Sequence, residues 1–314
     1  MPSSTFNSKE EVAIKHAGLR RATWALLALA LLLYACAEAA ATFGMEHVSR
    51  LHRRIMTEAR QAQALRPARP GQPPVVLFIG NSLLLEGVDL PVLTEGLRGR
   101  YQPRRYVIEA TSYEDWLFGL KRLFRHGMRV DSVVLCLNAL DFTAHSIRGD
   151  FTAHVLFDAQ DIWPVSRAIG ADLTDTSGLY FAHYSMFYAS RAELRSVLLG
   201  KISPAVVFTL QHLLWGNATV PPDAELIPTM DQRLLEIQKL CASYGSKFVF
   251  LIPPTPQPGD TAIVEAGRHT GVKVLWPIPN QSLGLEFYQE DHFHLNPKGA
   301  TRFTNALIET LRRD

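Results

Sequence analysis

Val75-Val76-Leu77-Phe78-Ile79-Gly80-Asn81-Ser82-Leu83 decides how this chain is read. Five apolar residues in a row, rich in β-branched side chains and followed by glycine and asparagine, describe a strand buried on both faces that ends in a turn. Ser82 then stands where the turn lifts its hydroxyl toward solvent at the carboxyl end of the strand. Downstream, apolar strand patterns at 106–109, 132–137, 247–252 and 272–275 alternate with helical patterns at 90–97, 113–124, 231–244 and 297–311. That ordering predicts a doubly wound α/β sandwich of three layers, flavodoxin-like, around a parallel sheet.

A second segment lies some two hundred residues further on. Asp291-His292-Phe293-His294-Leu295 places a carboxylate three residues before an imidazole, just ahead of Asn296-Pro297-Lys298-Gly299 and the last predicted helix. Asp291 is placed to orient His294, and His294 to take a proton from Ser82, which is the chemistry of acyl transfer. His292 is the competing imidazole and Asp141 the alternative carboxylate. Asn138, in Leu135-Cys136-Leu137-Asn138, falls at the end of the third strand pattern, on the same sheet edge as Ser82. Its amide and the N–H of Ser82 are the candidate donors to an oxyanion.

The chain of 314 residues is 47% apolar, with a formal charge of +2. This is ample material for one large core, and the lack of basic excess argues against nucleic-acid binding. Cys36, Cys136 and Cys241 follow no metal-ligand spacing and form no disulfide framework, so they read as buried apolar side chains. His145, His154, His183 and His212 are scattered, and neither a metal nor a cofactor is expected. No glycine-rich phosphate loop of the GxGxxG or Walker type is present.

The N-terminal third carries a second signal. After Lys9, Lys15, Arg20 and Arg21, an Ala- and Leu-rich run from Ala22 to Met45, broken by Glu38, is long enough to cross a bilayer core of about 30 Å. It is read as one transmembrane helix (22–45) behind a cytoplasmic tail (1–21), in preference to a cleaved signal peptide. Leu33-Tyr34-Ala35-Cys36 only loosely resembles a lipoprotein box. Arg50, Arg53, Arg54 and Arg60 follow the span as closely as basic residues precede it, so charge does not fix the orientation. Residues 46–74 are expected to be a helical stalk and proline-rich linker, and residues 75–314 the α/β domain. Within that domain, 142–228 reads as a helical insertion carrying Tyr180, Phe181, Tyr184, Phe187 and Tyr188; its apolar segment Val197 to Trp215 is interrupted by Gly200, Pro204, Gln211 and His212 and is not read as a second span.

Together, Gly80-Asn81-Ser82-Leu83, Asn138 and Asp291-x-x-His294 resemble the SGNH, or GDSL-like, hydrolase superfamily over the region from Val75 to Asp314. The resemblance implies Ser82 as nucleophile, His294 as base, Asp291 as its orienting group and Asn138 as oxyanion donor. Asn81 stands where the family pattern has aspartate, Cys136 where it has glycine, and the turn Glu109-Ala110-Thr111-Ser112-Tyr113-Glu114 lacks the glycine of the second block. With the N-terminal anchor, the chain looks like membrane-anchored members resembling bacterial polysaccharide O-acetylation and D-alanylation accessory proteins. That implies a periplasmic domain on the inner membrane, an acylated cell-envelope or exopolysaccharide glycan as substrate and a membrane-bound O-acyltransferase as partner. The outcome is either O-acyl transfer or ester hydrolysis. The alternative is a catalytically inactive SGNH-like protein that binds glycan or such a partner.

Overall fold

The computed structural model describes residues 8–193, 195, 220–279 and 282–313. The apolar segment Val197 to Trp215 and His212 lie outside the described residues.

Five strands, β1 (Val75–Gly80), β2 (Gln102–Val107), β3 (Ser132–Cys136), β4 (Lys247–Leu251) and β5 (Lys273–Leu275), form one parallel sheet in the order β2-β1-β3-β4-β5. This is the flavodoxin-like doubly wound order, whose direction of winding reverses between β1 and β3. Alternation along β1 divides the core. Leu77 and Ile79 face one layer of helices with Val133, Leu135 and Phe250, while Val76 and Phe78 face the other with Val134, Cys136 and Leu251. The first layer includes Tyr113–Arg125, Asp223–Ser243 and Asp260–Thr270; the second includes Ser82–Gly87, Leu90–Gly96 and Pro297–Arg313. Cys136 and Cys241 are buried, whereas Cys36 is exposed on the first helix.

Between β3 and β4 the described residues are largely helical: Ala139–Thr143, Asp150–Val155, Ala159–Ala168, Leu173–Tyr184 and Met186–Ala189. Phe151, Phe157, Ile162 and Leu179 join the first of the two cores, so these helices are packed on the sheet domain rather than held away from it.

Residues expected to form a stalk are built into the domain. The first helix, Ser8–His47, ends at a break, and Ser49 Oγ caps the next, Arg50–Gln63, by accepting from His52 N at 3.1 Å. That second helix is strongly two-sided, with His52, Ile55, Glu58 and Ala62 buried. It covers β2, the edge strand: Val107 N donates to Glu58 at 2.9 Å, and the Arg105 guanidinium donates to the same carboxylate. An edge strand with unpaired N–H groups is an aggregation site unless something covers it, and this helix does so. The proline-rich stretch after it is pinned as well, since Asp131 accepts from Ala68 N at 3.0 Å and from Val75 N at 2.7 Å.

Among the described residues one helical stretch, Leu19–His47, is long and apolar enough to cross a membrane. Ala41 and Met45, expected inside the span, are buried against the domain. Glu38 accepts hydrogen bonds from Ser185 Oγ (2.6 Å), Met186 N (2.6 Å) and Phe187 N (3.1 Å).

Candidate active site

The winding reverses between β1 and β3, and in folds of this kind ligands bind at that point, outside the carboxyl ends of the strands. β1 delivers Ser82 to that edge. A serine after a strand often serves as the helix cap itself; here Asn81 is the cap, its Oδ1 accepting from Leu83 N at 3.1 Å. Ser82 is the first helical residue, with its hydroxyl left for other use and its N–H among the donors that a first helical turn cannot satisfy internally.

His294 meets that hydroxyl. Its Nε2 lies 2.8 Å from Ser82 Oγ, and its Nδ1 lies 2.6 Å from Asp291 Oδ2. Asp291 is fixed by the backbone, because its Oδ1 accepts from Phe293 N (2.9 Å) and His294 N (3.0 Å). Partial burial pushes the Asp291 carboxyl up, but the bonds from the His294 ring and from the two backbone N–H groups outweigh it, holding the group below the ordinary carboxylate range. An ionised Asp291 accepts a hydrogen bond from Nδ1–H, which keeps the proton on that nitrogen and makes Nε2 the acceptor facing Ser82. His292 is exposed in a left-handed backbone conformation, φ 54°, at the turn that brings His294 inward.

β3 delivers Asn138, buried at the same edge. Its Oδ1 caps the helix Ala139–Thr143 by accepting from Asp141 N at 2.8 Å, and its Nδ2 donates to Gln257 Oε1 at 2.9 Å. Gln257 carries one signal in the sequence, its position a few residues past the end of β4 on the same sheet edge.

Asn81, the departure from the family pattern, joins two loops to the site. Its Nδ2 donates to Thr111 O at 3.2 Å and to Asp141 Oδ2 at 2.7 Å. Asp141 is therefore the partner of Asn81, not of His294. Burial pushes its carboxyl up to about 6, against the Asn81 hydrogen bond and the charge of His294. The turn that lacks a glycine passes through Ala110 at φ 55°, a left-handed conformation that favours glycine.

No family model matches the chain, and no curated protein is similar to it. Among solved structures, TesA is 12% identical, with a TM-score of 0.40 over 76% of this chain and 98% of that one. The Bacillus subtilis protein YxiM is 10% identical, with a TM-score of 0.37 over 78% of this chain and 58% of that one, so the match spans under two thirds of its length. These likenesses are too distant for an activity to be carried across. The structure places Ser82 after β1, Asn138 after β3 and Asp291-x-x-His294 before the last helix, so the residues on which the sequence resemblance rests share one edge of a flavodoxin-like sheet.

Proposed function

We propose that the protein is a membrane-anchored serine acyl-ester enzyme, with Ser82 as nucleophile, His294 as general base and Asp291 as its orienting carboxylate. The reading rests on the hydrogen-bonded line from Ser82 Oγ through His294 to Asp291. Ser82 Oγ attacks an ester carbonyl carbon as His294 Nε2 takes the hydroxyl proton, and the carbonyl π pair moves onto oxygen. The Ser82 N–H and an N–H of Asn138 face that developing oxyanion; an amide nitrogen has two N–H groups, and one is committed to Gln257. Collapse of the tetrahedral adduct breaks the bond to the leaving alcohol, which receives the proton from His294. Water or a sugar hydroxyl then attacks the acyl-enzyme by the reverse sequence, giving hydrolysis or transfer.

The substrate class that best suits an anchored enzyme of this kind is an acylated cell-envelope or exopolysaccharide glycan, met on the periplasmic side of the inner membrane and shared with a membrane-bound O-acyltransferase. The test is hydrolysis of p-nitrophenyl acetate by the full chain in detergent, beside Ser82→Ala and His294→Ala. Turnover that both substitutions abolish supports the acyl-enzyme route; equal rates in all three proteins would sink it.

A second reading is an SGNH-like protein that binds glycan or the acyltransferase without turnover. Two observations favour it: the Asn138 amide is engaged by Gln257, and the turn from Glu109 to Glu114, with Ala110 in a left-handed conformation, holds no glycine. Glycan affinity retained in Ser82→Ala, with no esterase activity in either protein, is its signature.

A further inference from the structure

The helix Leu173–Tyr184 leaves an apolar stripe uncovered. Leu173, Ser177, Tyr180, Phe181 and Tyr184 recur at i, i+4, i+7, i+8 and i+11, so they share one face, and all are exposed, Leu173 at 76%, Phe181 at 64% and Tyr184 at 73%. Ser177 spends its hydroxyl on Thr174 O, at 2.8 Å. The opposite face, with Thr176, Gly178, Leu179 and Ala182, is buried in the domain. Phe187, exposed at 39%, follows in the next short helix.

The place of this stripe along the membrane helix is fixed by Glu38, which holds the backbone N–H groups of Met186 and Phe187. From Leu19 to Glu38 the helix rises about 28 Å, close to one hydrocarbon thickness. With Arg20 and Arg21 at one boundary, Glu38 therefore sits at the other. Beyond it, Ala41 and Met45 are covered by protein, so lipid cannot surround those turns. The exposed stripe thus begins at the level where the bilayer ends. Its tyrosines and phenylalanines are the side chains that favour the membrane–water interface, with an apolar body and, for tyrosine, a polar tip.

We propose that this stripe, with Phe187, lies in the interfacial layer of the same bilayer that the first helix crosses, giving the domain a second membrane contact. The proposal rests on the membrane reading of Leu19–His47. A nitroxide placed on the full chain in lipid nanodiscs tests it, one label at a time, at Phe181→Cys or Tyr184→Cys in a Cys36→Ser background, with Cys136 and Cys241 left buried. Leu29→Cys in the span and Arg98→Cys on the other side of the sheet are the references. The expected result is an oxygen-to-nickel accessibility ratio between those of the two references, at a depth of about 5–10 Å in the headgroup and acyl boundary. Labels at 181 and 184 that match Arg98→Cys would overturn the proposal. Labels shielded from both reagents would also overturn it, assigning the face to a protein cover such as residues 196–219 or a second copy. A water-like Leu29→Cys would instead remove the membrane reading itself.

Discussion

Replacing Asp141 by asparagine should make the protein more stable at neutral pH and less active. The Asp141 carboxyl is mostly buried, and its value rises from 3.8 to about 6. Between pH 4 and 6 the folded chain keeps a proton that the unfolded chain has released, so wild-type stability falls as pH rises through that window and levels off above it. Two pH units at about 1.4 kcal/mol each amount to as much as about 3 kcal/mol. Asparagine does not titrate, and its oxygen can still accept from Asn81 Nδ2. In urea unfolding of the full chain in detergent, followed by tryptophan fluorescence, the two proteins should be alike near pH 3.5. Asp141→Asn should gain up to about 3 kcal/mol by pH 7.5. The substitution also removes a negative charge that supports the His294 imidazolium, so ester turnover should drop as stability rises. An Asp141→Asn protein no more stable than wild type at pH 7.5, or a difference independent of pH, would refute this account of the buried pair.

Asp291→Asn should lower ester turnover by about 10³- to 10⁴-fold, because the Nδ1 proton loses its acceptor; steady-state kinetics read it. Since the folded Asp291 value is depressed, the stability its ionised form supplies is present above about pH 4 and lost as pH falls through the folded value; thermal unfolding between pH 2 and 6 should show that loss in wild type and not in the variant. In Gly80→Ala the new Cβ would lie 2.3 Å from the Cys136 carbonyl oxygen, so β1 must move away from β3 just before the nucleophile. Overpacking of this sort costs about 1–3 kcal/mol, and a displacement near 1 Å costs about a hundredfold in turnover; denaturation and kinetics should show both losses. Ala110→Gly should stabilise by about 1 kcal/mol by relieving the left-handed conformation, seen as a higher melting temperature.

Much of the sheet is legible in the sequence because β1, β3 and β4 lie between two cores, and short apolar runs bounded by turn residues are what a strand buried on both faces requires. β2 is placed too late by the same logic, at 106–109 instead of Gln102–Val107. It is an edge strand, where Pro103 is tolerated and Arg105 is neutralised by Glu58 from a helix remote in sequence. The helix ending at Ser243 begins at Asp223, eight residues before its apparent start, because Pro228 masks a first stretch that the structure carries through it. At the site, Ser82, Asp291, His294 and Asn138 can be picked out by strand ends and spacing, and the structure draws the first three into hydrogen-bond contact. The Asn81–Asp141 and Asn138–Gln257 pairs are invisible in sequence, since each depends on which loops meet at the sheet edge.

On the membrane reading proposed above, the packing of Arg50–Gln63 on β2 and the tie of Asp131 to the following prolines make a short, packed connection between the span and the sheet. A leashed domain samples a volume and can meet soluble partners at many heights. A mounted one samples only rotation about its anchor and diffusion in the plane, so its site stays in one thin shell above the lipid. Encounter then becomes a two-dimensional search. Partners confined to the same bilayer are met at a high effective concentration, while a polymer must be brought down to that shell to be met at all.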